Sequence, residues 1–154
     1  MGLRTEPGAL AAWLVKSSRP PEQIEPGWTP GEQRELTRCV RRSYRLGLVA
    51  AGQPVLLWVS GRVTPGVHAV GIVTGPPQEP ADPGPDGDDR PALPVRLTRL
   101  ADPVDRGELL HDPRFRDAEV LRMPAGSNPS WLTAAQLAAV LERAGAPLLG
   151  PWVP

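Results

Sequence analysis

Five tryptophans, Trp13, Trp28, Trp58, Trp131 and Trp152, are the residues of this chain best suited to meeting a flat ligand. An indole face stacks on a planar aromatic partner such as a nucleobase, for about 1–3 kcal/mol per base. Ser17, Ser60, Ser127 and Asn128 are of the small polar type that hydrogen-bonds the edge of such a partner. Lys16 is the only lysine among 17 basic residues. Arg34, Arg38, Arg41, Arg42 and Arg45 crowd one short segment, and such a cluster suits phosphate oxygens. Other chemistries lack their residues. The sole cysteine, Cys39, excludes an intrachain disulfide and a zinc site of the usual cysteine kind. His68 and His111 stand far apart without ligand spacing, so neither a metal nor a cofactor is expected. No Ser-His-Asp order and no phosphate loop is present.

Each of these residues has a plainer role to set beside its chemistry. Trp13 lies in a short apolar run and reads as core. Strand alternation turns Trp58 opposite to Leu57 and Val59, which leaves it open between core and ligand. Trp28 sits on a loop broken by Pro26, Gly27 and Pro30, where a packed core does not need it, so it reads as pocket-facing. Trp131 reads as a packing staple before the last helix, Trp152 as a cover from the tail, and Cys39 as a small core residue. Lys16 is either a pocket residue or a snorkelling strand-end lysine. Arg38, Arg41, Arg42 and Arg45 are either phosphate contacts or a solvated helix face.

The elements that must carry these residues fit one domain of 154 residues, with a core over about 12–144. No segment approaches the roughly 20 apolar residues of a membrane helix, and residues 1–12 lack the apolar stretch of a secretory leader. A cytoplasmic monomer is expected. The formal net charge is zero, but it averages the arginine cluster against Asp82, Asp86, Asp88 and Asp89 in a Pro/Gly-rich run over 75–91 that reads as a mobile loop.

Residues 11–17 read as a buried strand. Residues 31–48 read as a helix, because Leu36, Val40 and Tyr44 recur every four positions. Residues 54–60 and 67–74 read as strands of a hairpin, and 93–100 as a half-buried strand in which Leu93, Val95 and Leu97 alternate with Arg96 and Thr98. A short helix is expected over 105–110 and a short strand over 119–123. Thr133 caps a last helix with Gln136 placed for a capping box, Gly145 and Pro147 stop it, and 148–154 is a coil tail.

Four segments taken in order carry a resemblance. WLVKS over 13–17, GQPVLLWVSG over 52–61, HAVGIVT over 68–74, and EVLRMPAGSNPSWLT over 119–133 together resemble the EVE domain family. The resemblance implies a PUA-like fold shared with the YTH readers of methylated RNA: an α+β mixed β-barrel of five to six strands with two to three flanking helices. It also implies a pocket at the barrel's end that holds a modified base between aromatic side chains. Carried over position by position, that pocket takes Lys16, Ser17, Trp28, Trp58, Ser60, Ser127 and Asn128. The chain departs from the family at Lys16-Ser17-Ser18-Arg19, where the family has Lys-Ser-Glu-Pro.

The expected function is therefore non-catalytic reading of a modified base in DNA or RNA. Two alternatives stand. The related ASCH barrels include small nucleoside amidohydrolases that use a lysine with a carboxylate, but no Asp or Glu falls on the strands expected at 54–60 and 67–74. A protein-interaction module would use the acidic loop and the arginine face.

Overall fold

A computed structural model describes residues 10–80 and 90–145. Its centre is a six-stranded mixed sheet in the order β2-β5-β4-β3-β1-β6. These strands are β1 (Ala12–Ser17), β2 (Gln33–Cys39), β3 (Pro54–Val59), β4 (Gly66–Val73), β5 (Ala92–Asp105) and β6 (Ser130–Leu132). The helices are α1 (Pro21–Ile24), α2 (Arg106–Leu110), α3 (Glu119–Arg122) and α4 (Ala134–Ala144), with a 3₁₀ turn over Tyr44–Leu48. The architecture is α+β.

β1 and β3 run parallel in the middle of the sheet, Trp13 opposite Val55 and Lys16 opposite Trp58. Both read as unbroken apolar runs because both of their faces are covered. Ala12, Leu14, Leu56 and Trp58 point to one core with Leu109, Phe115, Val120 and Val140 from the helical side. Trp13, Val15, Val55, Leu57 and Val59 point to a second core, with Leu93, Val95 and Leu97 of β5. Burying a side chain of this size is worth about 1.5–3 kcal/mol. Trp13 also donates its indole N–H to Gln53 Oε1 at 2.8 Å. β3 and β4 form the expected antiparallel hairpin, and β5 shows the expected alternation but extends to Asp105.

Gly71 has no room for a side chain, because a Cβ there would lie 1.7 Å from the Arg96 carbonyl oxygen. The last helix carries the expected capping box: Gln136 N donates to Thr133 Oγ1 at 3.3 Å, and Thr133 N donates to Gln136 Oε1 at 2.9 Å.

Several expectations are corrected. Residues 31–48 are not a helix, since 33–39 pair antiparallel with β5 from Gln33 opposite Thr98 to Cys39 opposite Ala92. The segment 119–123 is helical rather than a strand, because Met123 N closes a turn on the Glu119 carbonyl at 2.7 Å. Cys39 is exposed on the edge strand rather than in the core. The ladder does not close into a barrel. The edge strand β2 and the penultimate strand β1 are instead bridged at one end by Asn128, which follows α3 and precedes β6. Asn128 Oδ1 accepts from Lys16 N at 3.1 Å, its Nδ2 donates to the Cys39 carbonyl at 3.3 Å, and its own carbonyl accepts from Arg41 N at 2.7 Å. No described helix is long and apolar enough to cross a membrane. Asp82, Asp86, Asp88 and Asp89, most of the 75–91 loop, the 148–154 tail and Trp152 lie outside the described residues.

Candidate nucleic-acid interface

The bridge made by Asn128 brings the C-terminal ends of β1 and β2 together, and two adjoining cavities open there. The first, of about 370 Å³, takes Lys16, Ser17 and Ser18 from β1 and its exit, and Trp58 and Ser60 from β3 and its exit. Its remaining wall is Arg106 and Leu110 of α2, Val120 and Leu121 of α3, and Pro124. That size is at the lower end for small-ligand sites. Lys16, Ser17, Trp58 and Ser60 are thus brought together. The parallel register explains why, since Lys16 faces Trp58 and Ser60 N donates to the Ser17 carbonyl at 2.9 Å.

Trp58 is 3% exposed and stacks on Phe115, ring centroids 6.2 Å apart at 12°. It is a backed part of the cavity wall rather than a free platform. The Ser17 hydroxyl is engaged with Arg19, donating to its carbonyl at 2.9 Å and accepting from its N–H at 3.0 Å. Ser60 is exposed, its hydroxyl donating to the Ser17 carbonyl at 3.3 Å, and retains lone pairs for a ligand donor. Lys16 Nζ donates to the Pro124 carbonyl at 3.2 Å, which leaves two further donors. Burial lowers the Lys16 pKa, Arg41 and Arg45 lower it further, and Glu119 opposes them.

The second cavity, of about 360 Å³, shares Lys16, Ser17 and Ser18 with the first and adds Arg19, Thr37, Arg38, Cys39, Arg90 and Asn128. Four cations line it, and neither cavity has an Asp or Glu in its wall. Arg38 Nε is buried with no hydrogen-bond partner among the described residues. Burial pushes the Arg38 pKa down, and the neighbouring Arg19 charge adds to the push. A buried guanidinium N–H without an acceptor suits an incoming anion.

Other expected site residues lie elsewhere. Trp28 is corrected from pocket to core: it is 1% exposed, packs in the second core, and donates its indole N–H to the Glu32 carbonyl at 2.8 Å, while Arg99 donates to its own carbonyl. A loop tryptophan here folds back to fill the second core. Arg45 is corrected from phosphate contact to buried ion pair. It is 4% exposed, and its two terminal nitrogens each donate to one oxygen of Glu119 at 2.6 Å. Ser130 Oγ donates to the same carboxylate at 2.6 Å. Arg42 pairs with Glu79 at 2.6 Å on the surface. Arg41 is exposed beside Asn128, and Ser127 is half-buried but lines neither cavity.

Sequence reasoning missed Arg106, Leu110, Val120, Leu121 and Pro124 in the first cavity, and Arg19 and Arg90 in the second. One signal was present. Leu109 and Leu110 are adjacent on a five-residue helix and cannot both face the core; Leu109 is buried and Leu110 is 49% exposed at the cavity wall.

A mixed sheet with α2, α3 and α4 on one core and α1 on the other defines an α+β fold consistent with the PUA-like class. Solved structures share it. A hypothetical protein of Leishmania major aligns with a TM-score of 0.65 at 15% identity, over 90% of this chain and 97% of that one. A Pseudomonas syringae protein aligns at 0.65 and 16% identity, over 88% and 100%. Human THYN1, solved in complex with 5-methylcytosine-containing DNA, aligns at 0.50 and 15% identity, over 88% and 98%. At these identities the likeness is one of fold. No family model and no curated protein matches the sequence.

Proposed function

We propose that the chain is a nucleic-acid-binding module of the EVE kind, which holds one modified base in the first cavity and the flanking phosphates along the second. The observation that carries this is the junction of the two cavities at Lys16, Ser17 and Ser18, an apolar-walled recess opening onto a groove lined by four cations and no carboxylate. The shared fold with a protein solved on methylated DNA supports the same reading. Trp58, Leu110, Val120 and Leu121 offer the base an apolar wall, and a methyl group seated there adds roughly 0.8 kcal/mol. Ser60 accepts from an exocyclic amine, while Lys16 and Arg106 donate to ring carbonyls or phosphate. The proposed action is binding without catalysis. Glu119, a carboxylate whose charge acts on Lys16, already has both oxygens taken by Arg45 and Ser130.

Fluorescence anisotropy with labelled DNA and RNA oligonucleotides, with and without 5-methylcytosine, tests the reading. The wild type should prefer one modified base. Ser60→Trp, an exposed change that fills the recess, should abolish the preference while leaving salt-sensitive binding. Equal affinity for every base, unaffected by Ser60→Trp, removes the base-reading claim. Absence of binding to any oligonucleotide at low salt removes the nucleic-acid claim.

A further inference from the structure

The tip of the β3–β4 hairpin projects beside the recess and carries the most exposed large apolar side chain among the described residues, Val63, at 81%. Nothing in the fold needs a valine there. The tip is nevertheless held in one shape. Gly61 has φ 116°, and Thr64, a β-branched residue, has φ 43° in the left-handed region that such residues avoid. The buried ring of His68 holds that strained residue by a 2.6 Å hydrogen bond between its Nε2 and the Thr64 carbonyl. Strain kept this way marks positions where a shape is used. A third cavity, of about 400 Å³, is lined by Arg62 and Val63 of the tip with Ser60, Ser18 and Glu22, the last paired with Arg99 at 3.2 Å. Ser60 and Ser18 are also walls of the recess, so the tip and the recess share a rim.

A base seated in a protein recess leaves a gap in a duplex, and apolar side chains are the type that enters such gaps and separates base steps. Resting on the reading above, we infer that Val63 is a wedge that enters the base stack of double-stranded DNA next to the base held in the recess, with Arg62 against the adjoining phosphate. The ligand is thereby a duplex rather than a single strand. The exposed Arg62, beside Val63, supplies the charge complement that an apolar finger needs at a phosphate backbone.

The test compares Val63→Ser and Val63→Leu with the wild type on matched duplex DNA, single-stranded DNA and duplex RNA carrying the preferred base, with 2-aminopurine next to it. Val63→Ser should weaken duplex DNA binding about tenfold and lose the 2-aminopurine fluorescence rise that unstacking produces, while single-strand affinity stays within about twofold. Val63→Leu should retain both. Duplex affinity and fluorescence unchanged in Val63→Ser overturn the wedge and leave the base-binding reading standing. A wild type that binds single strands or duplex RNA in preference to duplex DNA also overturns it. A wild type that binds none of the three ends both.

Discussion

Glu119 shows how one buried residue supports a surface site without touching the ligand. Its carboxylate is 6% exposed, holds Arg45 through both oxygens, accepts from Ser130, and begins the short helix that supplies Val120 and Leu121 to the recess. Removing one partner of such a pair strands the other charge, so Glu119→Ala should cost about 3–5 kcal/mol in urea unfolding at pH 7. The double change Glu119→Leu with Arg45→Met should recover most of that loss. Burial by itself would raise the Glu119 pKa, but the hydrogen bonds from Arg45 and Ser130 and the charges of Arg45 and Lys16 together hold it below its ordinary value. A carboxylate depressed in the folded state stabilises fully above its unfolded pKa, and that contribution fades as pH falls through the folded one. The stability gap between wild type and Glu119→Gln should therefore narrow as pH drops below roughly 4, followed by urea midpoints. Lys16 gives the opposite edge. Its pKa is lowered, so oligonucleotide binding should weaken at an alkaline pH below that of an ordinary lysine, and Lys16→Arg should remove that step in anisotropy titrations.

Among the elements, the β4–β5 pair tolerates least. A Cβ at Gly71 would meet the Arg96 carbonyl at 1.7 Å and the Leu97 Cα at 2.9 Å, both backbone atoms of the neighbouring strand. Gly71→Ala should destabilise by about 1–3 kcal/mol in chemical denaturation, with the loss arising from forced separation of the strands. The same sheet explains what the residues told in advance and what they concealed. β1, β3 and β4 were legible because Val-, Ile- and Leu-rich runs bounded by Gly and Pro have few other homes. The last helix was legible from the Thr133–Gln136 box. β2 was not, because a spacing of four is also two periods of a strand. Leu36 and Val40 lie on the half-buried side of an edge strand and its exit, while Tyr44, the third member of the supposed stripe, is 54% exposed. That misreading carried Arg45 with it, onto a helix face instead of into an ion pair. Trp28 is hard to place for a related reason: a loop position reads as surface unless the loop is known to fold its indole back into the second core. Lys16, Ser17, Trp58 and Ser60 could be grouped because two strand ends bear them, whereas the wall from α2 and α3 depends on long-range packing that local periodicity does not encode.

Over the whole molecule, a formal net charge of zero conceals a groove with Lys16, Arg19, Arg38 and Arg90 along it. Binding should therefore be strongly salt-dependent despite the neutral total. If all four meet phosphates, log affinity against log salt should fall with a slope of roughly −3 to −4 on duplex DNA, and Arg38→Ala should flatten it by about one without changing base preference. The position of β1 carries a different implication. Of the described strands β1 is made first, its parallel partner arrives later with Trp13 opposite Val55, and its other edge waits for Trp131. The antiparallel meander of β3, β4 and β5 can assemble during synthesis, but β1 cannot be enclosed until β6 has emerged. The Asn128 bridge therefore forms only after residue 128 has been made, and a shorter chain lacks that wall of the groove. A nascent chain stopped before residue 128 should therefore not compete with the whole protein for the same oligonucleotide.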